Sequence, residues 1–176
     1  MGSRDKQVVR GNVPHPDWVG SCVTIGNFDG VHRGHQELVG QMRKMADHHG
    51  VPGVAMTFYP HPAEVLAGRE VTRLLPIEDR IGKLLAAGVD GVWVVPFTRE
   101  FSTLEPETFV TNLLVNSLKA RGVVIGPDFR FGKGRRGDGE LMTRYAQLAG
   151  FELVKLVPHK VKGVRIINSF NEDLLK

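Results

Sequence analysis

The sequence lacks the features that define several large protein classes. It has one cysteine, Cys22, so no disulfide can form within the chain, and a reducing, cytoplasmic setting is expected. No apolar run is long enough to span a bilayer, and the first residues lack the apolar core of a secretory signal. The net charge is only +4, which by itself does not indicate a nucleic-acid or membrane partner. The 176 residues therefore predict one globular domain.

The sequence does contain a regular alternation of short apolar runs and longer amphipathic stretches. The apolar runs predict five strands, at residues 21–25, 54–58, 92–95, 123–125 and 152–157. The amphipathic stretches predict helices at residues 35–49, 77–87, 106–119 and 141–149. Strands that are apolar on both faces and alternate with helices predict a doubly wound parallel five-stranded sheet, a Rossmann-like α/β fold. Ligands bind at the carboxyl ends of such strands, so functional residues are expected directly after them.

The segment after the first strand predicts an anion site. Residues 26–35 read Gly-Asn-Phe-Asp-Gly-Val-His-Arg-Gly-His, and a helix that begins near His32 turns its free N–H groups toward the strand tips. His32 and His35 are three positions apart, so they share one face of the first turn and can donate hydrogen bonds to phosphate oxygens. Asp29 could cap the helix or help to hold a metal. The alternatives are an ordinary surface turn and a zinc site; zinc is disfavoured because Cys22 lies inside a strand.

The segment after the fourth strand is cationic, rich in glycine and aromatic. Four positive charges fall within seven residues: Arg130, Lys133, Arg135 and Arg136. Four glycines predict a pliable loop, and Phe129 and Phe131 offer planar faces to an aromatic ring. Such a loop suits a phosphorylated planar ligand. A solvated basic loop is the alternative, and a nucleic-acid contact is not expected because the overall charge is small.

These motifs resemble those of a known family. Residues 24–35, 57–62 and 126–138 are similar to the signatures of bacterial FAD synthetases. These are the FMN adenylyltransferase modules of the bifunctional riboflavin kinase/FAD synthetase family, in the His-x-Gly-His nucleotidyltransferase superfamily. The resemblance extends over nearly the whole chain. It implies a nucleotidyltransferase that converts ATP and FMN to FAD and pyrophosphate with Mg²⁺, without a membrane partner.

The resemblance also implies roles for individual residues. Catalytic roles are implied for His32, His35, Asp29, Arg165 and Ser169. Nucleotide or phosphate contacts are implied for Gly26, Asn27, Phe28, Gly34, Asp128, Arg130, Lys133 and Asn168. Flavin or acceptor contacts are implied for Pro60, His61, Pro62, Phe129, Phe131 and Arg135. No residue is assigned as a metal ligand.

The sequence departs from the family near its end. The family's second signature, Arg-x-x-Ser-Thr-x-x-Arg, corresponds to residues 165–172, where Asn168 and Ser169 replace the Ser-Thr pair and Glu172 stands in place of the last arginine. A carboxylate cannot replace an arginine that binds phosphate. The alternative is therefore a divergent enzyme on the same scaffold, which transfers a nucleotidyl group to another acceptor or hydrolyses a nucleotide. A non-catalytic flavin- or nucleotide-binding module is a weaker alternative.

The predicted domain organisation has two parts. Residues 1–17 are interpreted as an N-terminal segment that combines a tag remnant with an edge element, and residues 18–176 as the nucleotidyltransferase domain. The riboflavin kinase domain that follows in the bifunctional family is expected to be absent. Phosphorylation of riboflavin is therefore not expected.

Overall fold

The fold is built on a mixed β-sheet, seen here in a computed structural model that describes residues 6–29, 33–68, 75–156 and 166–168. The described strands are β1 (Gln7–Arg10), β2 (Cys22–Ile25), β3 (Gly53–Tyr59), β4 (Gly91–Pro96), β5 (Gly122–Ile125), β6 (Glu152–Leu156) and β7 (Ile166–Asn168). Their order across the sheet is β1-β4-β3-β2-β5-β6-β7. Neighbours from β1 to β6 pair in parallel, and β7 pairs with β6 antiparallel.

Helices form the connections between the parallel strands. They are α1 (Arg33–His49), α2 (Pro62–Ala67), α3 (Ile77–Ala87), α4 (Pro106–Phe109), which continues as a π-helix over Val110–Ser117, and α5 (Gly139–Ala149). Gly88 ends α3 with a φ of 117°, a backbone conformation that glycine adopts readily. Among the described residues, none of these helices combines the length and apolar character needed to cross a membrane.

The predicted doubly wound α/β fold is confirmed, but the prediction of five strands is wrong. All five predicted strands are present as β2 to β6, and β1 and β7 extend the sheet at its two edges. An edge element was expected within residues 1–17, but no strand was predicted at β1, because its four residues alternate between half-buried and exposed positions and form no continuous apolar run. No strand was predicted at β7, which has only three residues.

The short helix α2 was also missed. The prolines of the Pro-His-Pro sequence indicate the end of β3, but Pro62 occupies the first turn of a new helix. Proline is favoured there because the N–H that it lacks would have no partner within the helix. His61 caps this helix, with its ring accepting a hydrogen bond from the Ala63 N–H.

Helices cover both faces of the sheet. On one face, α1 and α3 pack against strand residues such as Cys22 and Val92. On the other face, α4, the π-helix and α5 pack against the strand neighbours Val23 and Trp93. Successive residues of a strand point to opposite faces, so both faces of the central strands are apolar and buried.

The strand order determines where the functional loops meet. From β2 the chain moves outward to β3 and β4, and then it returns to β5 on the other side of β2. Where the strand order reverses, the loops that follow two adjacent strands lead to opposite sides of the sheet. A crevice therefore opens at the carboxyl ends of these two strands. These strands are β2 and β5, and they are followed by the two segments in which the sequence motifs lie.

Candidate active site

The loop after β2 is held against the end of β3. The Gly26 N–H donates to the carbonyl of Met56 at 3.1 Å, and the Thr57 hydroxyl donates to the carbonyl of Asn27 at 3.0 Å. Phe28 has a φ of 49°, in the left-handed region that few residues other than glycine adopt. Its ring is buried. This turn directs the chain from the strand tip toward α1.

His35 is the described member of the predicted histidine pair. It lies in the first turn of α1, half-buried, and its ring meets that of Phe28 edge-on with 5.3 Å between the ring centroids. Phe28 thus supports one side of the imidazole. The amino end of a 17-residue helix favours an anion through its free N–H groups and its dipole. His32 lies outside the described residues.

The first turn of α1 also leaves room for a ligand at Gly34. Gly34 is exposed, and a Cβ built at this position would meet no heavy atom of the described residues within 4 Å. A phosphate group can approach a glycine backbone more closely than the backbone of any other residue. The predicted role of Gly34 in phosphate binding stays a prediction.

Asp29 and His61 join the loops that follow β2 and β3. His61 Nε2 lies 3.0 Å from a carboxylate oxygen of Asp29, and His61 Nδ1 accepts the Ala63 N–H at 3.0 Å. An Nδ1 that accepts a hydrogen bond is unprotonated, so the proton of the neutral ring is on Nε2 and is donated to Asp29. The histidine therefore orients the carboxylate.

Aromatic rings connect the tips of β3, β4 and β5. Phe97 follows β4, and its ring packs against Phe101 with a centroid distance of 5.4 Å and against Phe58 at 6.2 Å. Phe129 follows β5 and stacks on Phe131 at 5.6 Å with an interplanar angle of 15°. Phe97, Phe101 and Phe129 are partly buried, so they retain apolar surface at the edge of the sheet.

The cationic loop after β5 is pinned in place rather than pliable. Phe131 and Gly137 exchange two backbone hydrogen bonds, of 3.1 and 2.8 Å, which close the loop at its base. The Lys133 N–H donates to the carbonyl of Leu104 at 2.6 Å. A Cβ at Gly132 would lie 2.8 Å from backbone atoms of Pro106, and a Cβ at Gly137 would lie 2.5 Å from the Phe131 ring. These two glycines permit close packing, which corrects the expectation of a pliable loop.

The pinned loop presents its positive charges to solvent. Arg130, Lys133 and Arg135 are exposed, and Arg136 makes an exposed ion pair with Glu105 at 3.6 Å. Such an exposed pair contributes little to stability. A rigid backbone that holds several cations together is suited to an anionic ligand.

The structure separates Phe131 from the other predicted flavin contacts. Phe131 is 4% exposed and packs against Phe109 with a centroid distance of 5.3 Å. Its ring supports Phe129 and belongs to the core. Pro60 is exposed, Pro62 is partly exposed, and Asp128 is exposed at the tip of β5. The structure brings these three residues to the same edge of the sheet as the loop after β2.

Of the stretch that corresponds to the family's second signature, residues 165–172, the structure describes only residues 166–168. Asn168 ends β7, where its backbone pairs with Val154, two residues before the carboxyl end of β6. The predicted nucleotide contact of Asn168 stays a prediction. Arg165, Ser169 and Glu172 lie outside the described residues.

One buried polar residue was missed by the sequence analysis. Arg80 of α3 is 2% exposed and donates from Nη1 to three oxygen atoms of the segments after β2 and at the end of β3. The signal in the sequence was its position: Arg80 lies three residues after Ile77 and four before Leu84, on the apolar face of the helix. An arginine in such a stripe indicates a buried charge with partners.

The described residues offer no preformed metal cluster. No group of three or more His, Cys, Asp or Glu side chains in this part of the chain could hold a metal ion. Burial raises the pKa of Cys22 to about 12, so its thiol is neutral at ordinary pH, and only a thiolate binds zinc or acts as a nucleophile.

Fold and site together define a protein of the Rossmann-like nucleotidyltransferase class. Its features are a parallel sheet whose strand order reverses beside β2, a histidine at the amino end of the helix that follows β2, and a cationic loop after the neighbouring strand β5. The FAD synthetase family model matches residues 15–170. The chain belongs to the FAD synthetase family.

Curated relatives agree with this family. The chain is 36% identical over 163 residues to the bifunctional riboflavin kinase/FMN adenylyltransferase of Escherichia coli K12, covering 91% of this chain and 52% of the relative. It is 39% identical over 132 residues to the protein of the same name from Listeria monocytogenes, covering 73% of this chain and 41% of the relative. The chain thus spans about half the length of these relatives.

Solved structures share the fold. A Streptococcus pneumoniae protein described as a macrolide-efflux protein superposes with a TM-score of 0.75 at 27% identity, over 89% of this chain and 52% of that one. The pantothenate synthetase of Thermus thermophilus superposes with a TM-score of 0.57 at 18% identity, over 94% of this chain and 67% of that one. The second likeness shows the fold alone.

Proposed function

We propose that this chain is an FMN adenylyltransferase, which converts ATP and FMN to FAD and pyrophosphate. One observation carries the proposal: in this member of the FAD synthetase family, the amino end of α1 with His35 follows β2, and a pinned cationic loop follows the neighbouring strand β5. Both features favour anions, and the reaction brings two phosphorylated substrates together.

In this reaction a phosphate oxygen of FMN attacks the α-phosphorus of ATP. The bond between that phosphorus and the bridging oxygen to the β-phosphorus breaks, and pyrophosphate leaves with the electron pair. Such transfers depend mainly on positioning and on electrostatic stabilisation of the transferring group. We assign His35, His32 and the N–H groups at the start of α1 to the phosphates of ATP, with Arg130 and Lys133 on the other side.

The acceptor side is proposed at the tips of β3, β4 and β5. The partly buried rings Phe97, Phe101 and Phe129 provide an apolar wall for the flavin ring, and Arg135 is an exposed cation for its phosphate. Pro60, Pro62 and His61 border this region, and His61 orients Asp29 toward the α-phosphate. Phe131 contributes by supporting Phe129.

The residues present fit a role for Mg²⁺. This ion binds through one or two carboxylates together with substrate phosphates and water. Asp29, whose side chain is 38% exposed, and the exposed Asp128 lie at the edge of the sheet and would hold it. When bound, Mg²⁺ neutralises charge on the phosphates. The small substrates and the neutral buried Cys22 fit the proposed cytoplasmic setting.

The proposal is tested by incubating the purified protein with FMN, ATP and Mg²⁺ and by measuring FAD and pyrophosphate. Equal amounts of both products are expected. Riboflavin in place of FMN is the control, because it has no phosphate to attack the nucleotide and can give no FAD. Turnover of ATP without FAD, or of other nucleotide and acceptor pairs only, would favour the divergent enzyme; binding without any turnover would favour a binding module.

Replacing His61 separates its two contacts. In His61→Asn the side-chain oxygen can still cap α2, whereas in His61→Ala both the cap and the contact to Asp29 are lost. We expect His61→Ala to have a free energy of unfolding about 1 kcal/mol lower than that of His61→Asn, measured by urea denaturation. Both variants are expected to form FAD about tenfold more slowly, since an unheld Asp29 is misplaced. Full activity of His61→Asn would show that the contact to Asp29 does not matter.

A further inference from the structure

We propose that Arg80 is a positioning residue for adenylyl transfer, which acts by fixing the loop of Asn27, Phe28 and Asp29 to the end of β3. Arg80 is on α3, outside every motif of the sequence. The inference rests on the proposed function, because its kinetic consequence is a loss of FAD formation. Its structural consequence can be measured without any substrate.

The contacts of Arg80 all come from one nitrogen. Nη1 lies 3.0 Å from the carbonyl oxygen of Asn27, from the hydroxyl oxygen of Thr57 and from the carbonyl oxygen of Phe58, so its two N–H groups are shared among these three acceptors. The Thr57 hydroxyl in turn donates to the same Asn27 carbonyl. Three segments of the chain, namely α3, the end of β3 and the loop after β2, therefore meet at one guanidinium.

The burial of Arg80 makes this contact costly to disturb. The residue is 2% exposed, and burial lowers the pKa of its guanidinium while the nearby Asp29 acts in the opposite direction. A buried charge is tolerated when hydrogen bonds replace its hydration. Loss of the guanidinium would leave the Asn27 and Phe58 carbonyls without this donor in a buried environment.

Arg80 also shares a pocket with the histidine proposed to be catalytic. Together with Phe28 and His35 it lines a pocket of about 260 Å³ between α1 and α3. A shift of the Asn27 carbonyl would move Phe28, whose ring supports His35, and Asp29, which is two residues further along the chain. Displacements of about 1 Å in positioning groups can reduce a rate by about 10²-fold.

The rigid plane of the guanidinium fixes the position of Nη1, whereas lysine carries its ammonium on a flexible stem. Arg80→Lys therefore keeps the positive charge but loses the fixed position of the donor, and Arg80→Met removes both. The matched control is Lys44→Met, which removes an exposed cation of α1 that does not line this pocket.

The test combines kinetics with native-state hydrogen exchange. For Arg80→Lys we expect kcat for FAD formation to fall about tenfold with a smaller change in the KM for FMN, and for Arg80→Met about 10²-fold. Lys44→Met is expected to match the wild type. In Arg80→Lys the Gly26 amide, which is bonded to Met56, is expected to exchange at least about tenfold faster, while the amide of Val154 in β6 keeps its rate.

The outcomes distinguish this inference from the proposed function. Unchanged exchange at Gly26 in Arg80→Lys would overturn the inference, as would an equal acceleration at Gly26 and Val154, which indicates general destabilisation only. Local acceleration with an unchanged kcat would also overturn it. If the wild type forms no FAD, the proposed function is wrong and kcat for FAD formation cannot be measured. The amide exchange rates of Gly26 and Val154 then decide by themselves whether Arg80 holds the loop in place.

Discussion

Replacement of His35 by alanine is expected to lower kcat for FAD formation by about 10² to 10³-fold, which corresponds to about 2.7–4 kcal/mol of transition-state stabilisation. The imidazole lies in the first turn of α1, where it can donate a hydrogen bond to the phosphate oxygens on which charge develops during transfer. Alanine leaves the helix intact, because it has the highest helix propensity. Steady-state kinetics with FMN and ATP measures this loss.

Two further variants control for the loss at His35. His48→Ala removes an exposed histidine from the other end of the same helix, about 20 Å away along the helix axis at 1.5 Å per residue, and it should keep the wild-type kcat. His35→Gln retains an N–H donor, so it should recover part of the rate lost in His35→Ala. A rate for His35→Ala equal to that of His48→Ala would remove His35 from the proposed mechanism.

The second large effect is expected for Gly132→Ala. Gly132 has φ 78° and ψ 179°, in a region that is essentially confined to glycine and costs other residues about 1–3 kcal/mol. A Cβ there would also lie 2.8 Å from backbone atoms of Pro106, and such overpacking costs about 1–3 kcal/mol more. We therefore expect the free energy of unfolding to fall by roughly 2–6 kcal/mol, measured by urea denaturation.

Gly134→Ala is the matched control in the same loop. Gly134 also has a positive φ, 61°, but its ψ of 19° lies in the left-handed helical region, where a side chain costs about 1–2 kcal/mol. The nearest atom to its added Cβ would be in the Arg136 side chain at 3.7 Å, which is an ordinary contact. Equal losses for the two variants would mean that the packing of Gly132 on Pro106 does not hold the cationic loop.

The same comparison tests the loop's function. If Gly132→Ala still folds, the displaced loop should raise the KM for ATP and FMN, because Arg130, Lys133 and Arg135 no longer face the bound phosphates together. Gly134→Ala should change these constants little. This result would show that the loop contributes to substrate binding through its fixed backbone as well as through its charges.

Much of the fold could be predicted because it depends on local patterns. The five buried strands have continuous apolar runs, since helices cover both faces of the sheet, and the helices α1, α3 and α5 have apolar stripes. The edge strands β1 and β7 lacked this signal. An edge strand is paired on one side only, and β1 leaves Val8 40% exposed, so neither length nor burial distinguished it from a loop.

The sequence predicted the motifs of the candidate site but not the contacts between their side chains. The loop motifs after β2 and β5 follow from residue order, and the family resemblance supplied their roles. The bond between His61 and Asp29 joins residues 32 positions apart, and Arg80 contacts a carbonyl 53 positions away. No periodicity or spacing can reveal such contacts, because they depend on the positions of separate elements after folding.

Two details show what packing alone decided. From the sequence, Phe129 and Phe131 were both predicted to contact a flavin. In the structure Phe131 is buried in the core against Phe109, whereas Phe129 is partly exposed. The glycines at 132 and 137 suggested a pliable loop. In the structure, however, the lack of a side chain at these positions allows Pro106 to pack against Gly132 and the Phe131 ring to pack against Gly137. The sequence by itself determined the fold class, the family and the loops proposed to carry the chemistry, because apolar periodicity and motif order are local properties. The tertiary structure decided which side chains of those loops are exposed and which buried residue contacts them, because distance and burial arise only when distant segments pack together.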